Sequence, residues 1–254
     1  MSRDQLPVCS WFARDIITLM QLTQENDTLF RLTRFGMINC FLVREDDGFT
    51  LIDTGLKRSA KQILKIAGQL GNPIRRIVLT HGHIDHAGSI DELSMSLANA
   101  EIAVGEREAR ILRGDFSLNQ GESGKRLWGF VGVKTLRYQE MKHGDRIGSL
   151  SVIDTPGHTP GHVSFLDVRQ GSLIAGDAFT TQRGLVAAGV FKWHFPFPAI
   201  FSWNRSMAAE SARNLRMLNP TLLAVGHGES LRSPCAAMDR AIELAYRQCG
   251  RMLK

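Results

Sequence analysis

Three histidines and an aspartate lie within six consecutive positions of the stretch IVLTHGHIDHAGS, residues 77–89. The chain has only eight histidines, so this stretch concentrates them strongly. The preceding residues RRIVLT are apolar and β-branched, which predicts a strand that ends at His81. Because His81 and His83 are two positions apart, their side chains point the same way on an extended segment. With Asp85 and His86 just beyond, four ligand-type side chains crowd at one strand end, which predicts a metal site.

Three more side chains of this kind follow predicted strands. His158 comes after LSVIDT, Asp177 after SLIAG and His227 after TLLAV, each close to a glycine. Loops at the carboxyl ends of strands are where α/β folds usually gather their sites. The candidate metal ligands are therefore five histidines and two aspartates: His81, His83, Asp85, His86, His158, Asp177 and His227. A set without cysteine suits zinc, manganese, iron or cobalt better than thiolate chemistry.

Alternating β and α elements predict one α/β domain over residues 1–254. TLFRLTR and INCFLVRED alternate apolar and polar residues and FTLIDTG follows a turn, which predicts a β-meander. Helices are predicted over 59–70, from Ser89 with Glu92 in a capping box, over 203–218, and from Ser233 as N-cap with Pro234 at N1. Residues 114–135 are expected to form an irregular or partly helical insertion.

The motifs resemble those of one known family. THGHIDHAG matches the HxHxDH motif of the metallo-β-lactamase superfamily, and TPGHTPGH, AGDAF and VGHG match its later motifs in order. The resemblance runs from about Asp53 in LIDTG to Gly228. It implies a four-layer αββα sandwich with two divalent metal ions, zinc being favoured. It also implies that His81, His83 and His158 hold one ion, that Asp85, His86 and His227 hold the other, and that Asp177 bridges them.

Three polar residues near these motifs have other expected roles. His162, also in TPGHTPGH, is expected inside the next strand, where it would form hydrogen bonds rather than bind metal. His143 lies in a predicted turn and is expected at the surface. Asp53 either orients a metal ligand or caps a turn.

Two metal ions a few ångströms apart lower the pKa of a bridging water, so the sequence predicts a metal-dependent hydrolase. Asp85 is the candidate catalytic residue, expected to orient the hydroxide and to pass its proton to the leaving group. The preferred substrate is a lactone or ester with an apolar part. A thioester hydrolase of glyoxalase II type is the alternative, with β-lactamase and phosphodiesterase or ribonuclease activities less favoured. A metal-binding scaffold without turnover is also considered.

The segment VFKWHFPFPAIFSW concentrates aromatic residues: Phe191, Trp193, Phe195, Phe197, Phe201 and Trp203. Its two prolines argue against a regular helix or a central strand. The aromatics either fill the core or form an apolar wall beside the metals, where His194 could contact substrate. Residues 114–135 and 183–203 are thus the candidate pocket segments.

Several substrate classes fit the sequence less well. Some related lactonases use a tyrosine after the bridging aspartate, and no tyrosine follows Asp177 until the C-terminal helix. Glyoxalase II-like enzymes add a helical C-terminal domain, whereas one predicted helix follows His227 here. β-Lactamases need an export signal, which the first residues do not resemble. Nucleases of this superfamily carry an RNA-binding arm that is not evident.

The net charge and the cysteine content indicate which binding partners and which redox state to expect. The net charge of +6 fits a basic soluble surface better than nucleic-acid binding. The four cysteines form no CxxC pair and are expected to be reduced and mostly buried. We expect a cytoplasmic protein with a small-molecule substrate and no nucleic-acid or membrane partner, and a homodimer is left open. GESGK at 121–125 lacks the spacing of a phosphate-binding loop.

Overall fold

Two mixed β-sheets pack face to face in the computed structural model, which describes residues 20–134 and 137–250. The first sheet has seven strands in chain order: β1 (Gln21–Gln24), β2 (Leu29–Arg34), β3 (Ile38–Glu45), β4 (Gly48–Ile52), β5 (Ile74–Leu79), β6 (Glu101–Gly105) and β7 (Gln139–Met141). The strands β1 to β4 form the predicted antiparallel meander. The strands β4 to β7 pair in parallel, so their carboxyl ends lie at one edge.

The second sheet contains β8 (Arg146–Ile147), β9 (Leu150–Asp154), β10 (Val163–Asp167), β11 (Ser172–Ile174), β14 (Leu222–Ala224) and β15 (Leu231–Arg232). Its order is β15-β14-β11-β10-β9-β8, and β11 with β14 is its parallel pair. A small ribbon of β12 (Phe179–Thr180) and β13 (Val186–Ala187) follows β11. The sheet therefore delivers two successive loops, after β11 and after β14, to the same edge.

Helices flank the two sheets, and the longer ones cover their outer faces. They are α1 (Ala60–Gln69), α2 (Ile84–Ala87), α3 (Ile90–Ser96), α4 (Glu106–Leu112), α5 (Phe197–Ile200), α6 (Arg205–Met217) and α7 (Cys235–Gln248). Ile63 of α1 and Leu93 of α3 pack on the first sheet, whereas Leu215 of α6 and Ile242 of α7 pack on the second. None of the helices in the described residues is long and apolar enough to span a bilayer.

Successive side chains of a strand point alternately toward the other sheet and toward the helices. In β3, Phe41 and Val43 point between the two sheets, while Cys40 and Leu42 point toward the helices on the first sheet. In β11, Ile174 points between the sheets and its neighbour Leu173 points toward the other helical layer. This alternation is what a period of two demands when both faces of a sheet are buried. The predicted αββα sandwich is confirmed.

Helix starts differ from the sequence prediction. Ser89 precedes α3, but its hydroxyl donates to the main-chain oxygen of Leu56 at 2.8 Å and accepts from the Ser59 N–H, so the predicted capping box is wrong. Pro234, not Ser233, is the N-cap of α7, because Ser233 has a left-handed φ of 47°. The start of α6 is capped by Asn204, whose side chain accepts from the Met207 N–H.

The predicted insertion is irregular, as expected, whereas two of the thiols are more exposed than the sequence predicts. Over 114–134 the described chain forms no named helix or strand, as an irregular insertion requires, apart from a bridge between Phe130 and His83. Cys40 is buried, but Cys235 and Cys249 are only half-buried, so the expectation of mostly buried thiols is wrong for these two. Cys9 lies outside the described residues.

Candidate metal centre

All seven candidate ligands come together where strands of both sheets end. His81 and His83 follow β5, and Asp85 and His86 lie on the short helix α2. The other three are on loops of the second sheet: His158 between β9 and β10, Asp177 in a 3₁₀ turn at Gly176–Ala178 after β11, and His227 after β14. Their ligand atoms form three overlapping groups that could each hold a metal ion.

The first group consists of three imidazoles. The Nδ1 atom of His83 lies 3.0 Å from Nε2 of His81 and 3.0 Å from Nε2 of His158. Nitrogen atoms at such spacing are within reach of one ion at the usual bond length of about 2.1 Å. Burial lowers the pKa of His83 to about 4, and it also holds the pKa of His81 and of His158 well below the ordinary value. The three rings are therefore neutral, which is the form that binds metal.

The second group combines Asp85, His86 and His227, with Asp177 between the two groups. Oδ2 of Asp85 lies 3.3 Å from Nε2 of His227. Oδ2 of Asp177 lies 3.3 Å from Nε2 of His227 and 3.4 Å from Nε2 of His158. The other oxygen of Asp177 lies 3.3 Å from Nε2 of His86. One carboxylate thus reaches both groups, as a bridging ligand must.

Three buried atoms of the candidate ligands lack a hydrogen-bond partner: Nδ1 of His158, Nε2 of His86 and Oδ1 of Asp177. The last two face each other across 3.3 Å inside the cluster. An unsatisfied buried polar group costs about 1–3 kcal/mol, which is a reason to expect a missing partner there. The donor set of imidazole and carboxylate, with no cysteine, suits zinc and related divalent ions. The residues present therefore fit a pair of divalent cations.

Asp53 orients ligands of both groups. Its Oδ2 accepts from Nδ1 of His86 at 2.7 Å and from the Thr80 hydroxyl at 2.8 Å. Because Nε2 of His81 faces the cluster, its Nδ1 is the atom that donates to the Thr80 oxygen, at 3.0 Å. Asp53 itself has a φ of 61°, a left-handed conformation that is often found at functional sites. Of its two expected roles, the structure favours ligand orientation.

His162 uses both ring nitrogens away from the metal positions. Its Nε2 accepts from the backbone N–H of Asp177 at 3.1 Å, so Nδ1 donates to the Thr155 hydroxyl at 2.8 Å. A Cβ atom on Gly176 would lie 2.8 Å from that Nε2, so only glycine allows this approach. His162 lies just before β10 rather than inside it. His143 is exposed, as expected.

An apolar cavity of about 310 Å³ opens beside the cluster. Its apolar lining consists of Phe195, Phe197, Pro198 and Phe201 together with Met37, Ile38, Leu56 and Ile84. Five of the candidate ligands, Thr180 and Gly129 complete the lining. The remaining aromatics of that segment do not line it: Trp203 is buried, whereas Phe191 and Trp193 are exposed. His194 is exposed and is not among the lining residues. From residues 114–134 only Gly129 reaches the cavity.

Comparison with known proteins decides the family. The model described as the metallo-β-lactamase superfamily matches residues 33–227, a range that includes every candidate ligand. The chain belongs to this superfamily. It is 45% identical over 231 residues to the uncharacterized protein YobT of Bacillus subtilis, covering 89% of this chain and 99% of that relative. It is 32% identical to the probable metallo-hydrolase YflN of the same organism, covering 74% of this chain and 78% of that relative.

The chain is also similar, at lower identity, to a named hydrolase and to a protein solved with bound iron. A hydroxyacylglutathione hydrolase of Nitrobacter winogradskyi is 28% identical over 133 residues, covering 52% of this chain and 45% of that relative. TTHA1623, solved in a di-iron-bound form, matches with a TM-score of 0.59 at 25% identity, over 79% of this chain and 92% of that chain. The superfamily binds divalent metals, often in pairs, and its named relatives support a hydrolase.

Some positioning groups had no clear sequence signal. The main-chain oxygen of Met37 accepts from Nδ1 of His227 at 3.0 Å, and any residue type could supply that oxygen. Thr80 and Thr155 stand beside the histidine motifs, so a hydroxyl that orients an imidazole could have been proposed for them. The signal would be a threonine at the last position before the ligand loop.

Metal binding is expected to release protons. Burial opposes protonation of His227, but Asp177 and hydrogen bonds to Asp177 and Asp85 outweigh it and raise the pKa of His227 to about 10. The pKa of His86 is likewise raised well above its ordinary value, because Asp177, Asp53 and Asp85 outweigh burial. Both rings are therefore charged at pH 7 in the metal-free protein and must become neutral to bind metal.

We expect about two protons to be released per chain at pH 7, and the affinity of the second group to rise with pH below about 10. Calorimetric titration with Zn²⁺ in two buffers of different ionisation enthalpy measures this number. A heat of binding that is independent of the buffer would contradict the expectation.

Proposed function

We propose that the protein is a dinuclear metal hydrolase that cleaves the carbonyl of a lactone or ester with an apolar acyl or ring portion. The observation that carries the proposal is the apolar cavity that opens onto Asp85, Asp177 and His227. Small-molecule sites are mostly apolar, with a few polar groups where orientation or chemistry is needed. The aromatic residues Phe195, Phe197 and Phe201 supply the apolar part of this cavity.

Asp85 is the proposed catalytic base. Polarisation of the carbonyl and acidification of a water molecule are the chemistry that a pair of divalent ions supplies. Burial raises the pKa of Asp85, but the positive charge of His86 and the hydrogen bond from His227 lower it more, so the group is a carboxylate. It lines the cavity and its side chain is 26% exposed, so substrate and water can reach it. It would accept the proton of the attacking water and return it to the departing alkoxide.

The cavity wall would hold the apolar portion and exclude water around the reacting carbonyl. Trp128 and Phe201 stack with ring centroids 4.4 Å apart, and Phe201 lies 6.1 Å from the ring of His83. The wall is therefore packed against the first metal group. A phosphodiester would bring negative charge to this apolar surface, and no lysine or arginine is among the lining residues, which disfavours nuclease activity.

A thioester hydrolase of glyoxalase II type is the second candidate. Similarity to hydroxyacylglutathione hydrolases favours it, and a thioester carbonyl could use the same base. The match covers 45% of that relative, so it does not extend to the whole of that enzyme. The apolar cavity favours the lactone or ester, because glutathione is a charged peptide.

Acid release followed in a pH-stat tests the proposal. Zn²⁺-loaded protein is given a lactone, an ester and a thioester of the same acyl length, a β-lactam and a phosphodiester. We expect selective turnover of the lactone or ester. Preference for the thioester would support the second candidate, and turnover of only the β-lactam or phosphodiester would overturn both.

The cavity wall makes a prediction about acyl length. Replacing Phe197 by alanine removes a half-exposed lining ring, so KM for a hexanoyl substrate is expected to rise about 10-fold, with little change for an acetyl substrate. Phe191→Ala is the matched control, because Phe191 has similar exposure in the same segment and does not line the cavity. Equal effects of the two substitutions on both substrates would argue against the wall.

A further inference from the structure

The carboxyl group of Glu108 is buried beside the metal cluster without being part of it. Glu108 lies on α4 and its exposed fraction is 0%. Its neighbours Ala109, Ile111 and Leu112 are also buried, so the helix turns an otherwise apolar side inward. A buried carboxylate is costly unless hydrogen bonds compensate for its lost hydration. The hydrogen bonds that replace the lost hydration of Glu108 therefore show which parts of the structure this side chain holds together.

Glu108 joins the two loops that carry the first metal group. Its Oε1 accepts from the backbone N–H of Gly82 at 2.8 Å. Its Oε2 accepts from the Thr159 hydroxyl at 2.8 Å and from the backbone N–H of Gly161 at 3.2 Å. Gly82 stands between two histidine ligands, and Thr159 directly follows the third. One side chain thus fixes the loop after β5 against the loop between β9 and β10.

Close packing makes this link rigid. A Cβ atom on Gly161 would lie 2.2 Å from the backbone nitrogen of Glu108, and one on Gly82 would lie 2.6 Å from the side chain of Leu112. The loop at Gly161 therefore lies directly against the backbone of α4 with no room for a larger residue, and the loop at Gly82 packs on the Leu112 side chain. A change in the side chain of Glu108 cannot be absorbed by bringing the loop at Gly161 closer.

The chemistry of the link requires a carboxylate. Three donors converge on Glu108, and two oxygens accept them all. A glutamine has one oxygen, and its NH₂ group would face N–H donors of at least one loop. The pKa of Glu108 is raised by burial to about 7, so measurements at pH 8 keep the group mostly ionised.

We propose that Glu108 is a positioning residue that sets the spacing of His81, His83 and His158, and thereby the affinity and geometry of the first metal ion. The inference rests on the proposed function in that it assumes the cluster binds metal. It does not depend on which substrate is cleaved. Supports of metal ligands typically contribute 10–100-fold to metal affinity.

The test is a competition titration of the protein with Zn²⁺ at pH 8, together with the visible absorption of the Co²⁺-loaded protein. In Glu108→Gln the dissociation constant of the first ion is expected to rise about 10–100-fold and the Co²⁺ bands to shift. Asp167→Asn is the matched control, because Asp167 is a carboxylate of 1% exposure that pairs with Arg169 away from the cluster. Its metal affinity is expected to match that of the parent protein.

Thr159 provides a milder second variant if Glu108→Gln does not fold. Thr159→Val loses one donor with nearly the same shape, and we expect weaker binding of the first ion. Thr159→Ser keeps the hydroxyl and is expected to restore the affinity. Unchanged metal affinity and unchanged Co²⁺ spectra in Glu108→Gln would overturn the proposal. The proposal would also be overturned if Thr159→Ser lost as much metal affinity as Thr159→Val, or if Asp167→Asn lost as much as Glu108→Gln. If the parent protein binds two ions but cleaves neither lactone nor ester, the proposed function fails while this test still stands.

Discussion

Asp85→Asn is expected to lower kcat for the best lactone or ester by about 10²–10⁴-fold, the range for loss of a general base. The substitution keeps the size of the side chain but removes the carboxylate that accepts the proton of water. It also weakens a candidate ligand of the second metal group, so the loss should lie toward the upper end of that range. Steady-state acid release at saturating Zn²⁺ measures the effect, and bound metal is counted in the same samples.

A surface carboxylate serves as the control for Asp85. Asp239 pairs with Arg216 at an exposed position, so Asp239→Asn should keep kcat within about 2-fold. If Asp85→Asn binds two ions and retains near-normal turnover, Asp85 is not the base. That result would leave the metal centre in place but would require another proton acceptor.

Asp177→Asn is expected to have the largest effect on metal binding. Its two oxygens reach His86, His158 and His227, so the substitution removes a negative charge from both metal groups at once. Loss of a direct ligand should exceed the 10–100-fold cost of losing a supporting residue, so we expect fewer than about two ions per chain and no measurable hydrolysis. Elemental analysis after dialysis measures the metal, and circular dichroism checks that the fold is retained.

The number of metal ions that Asp177→Asn loses distinguishes a ligand that bridges both ions from a ligand of a single ion. If Asp177→Asn loses one ion and keeps the other at unchanged affinity, Asp177 serves a single group rather than both. If both ions remain at parental affinity, the centre does not use this carboxylate. Either outcome would change the assignment of ligands without changing the fold.

The candidate ligands could be predicted because each stands in the segment that follows a strand, either in a loop or, for Asp85 and His86, on the short helix α2 just beyond it. Parallel pairing of β4, β5 and β6 and of β11 with β14 brings those loops to one edge, so local sequence signals converge in space. Glycines beside the histidines marked the loops themselves. The sandwich could be predicted because the order of the motifs resembles that of the metallo-β-lactamase superfamily.

The supports of those ligands could not be predicted in the same way. The oxygen that orients His227 belongs to the main chain of Met37, on the hairpin between β2 and β3. Glu108 sits in a short helix whose sequence EREARIL indicates only an exposed polar face and a buried apolar one. Such contacts depend on how two sheets pack, and no local pattern records them. The same is true of Ser89, whose hydroxyl bonds a distant loop instead of its own helix.

A dinuclear hydrolase is tested most directly by titrating metal-free protein with Zn²⁺ while acid release from the best lactone or ester is followed in the same vessel. We expect no turnover without metal and a rise that reaches its plateau at about two bound ions per chain. Turnover that survives complete removal of metal, or a plateau reached when only one ion is bound, would contradict a dinuclear hydrolase.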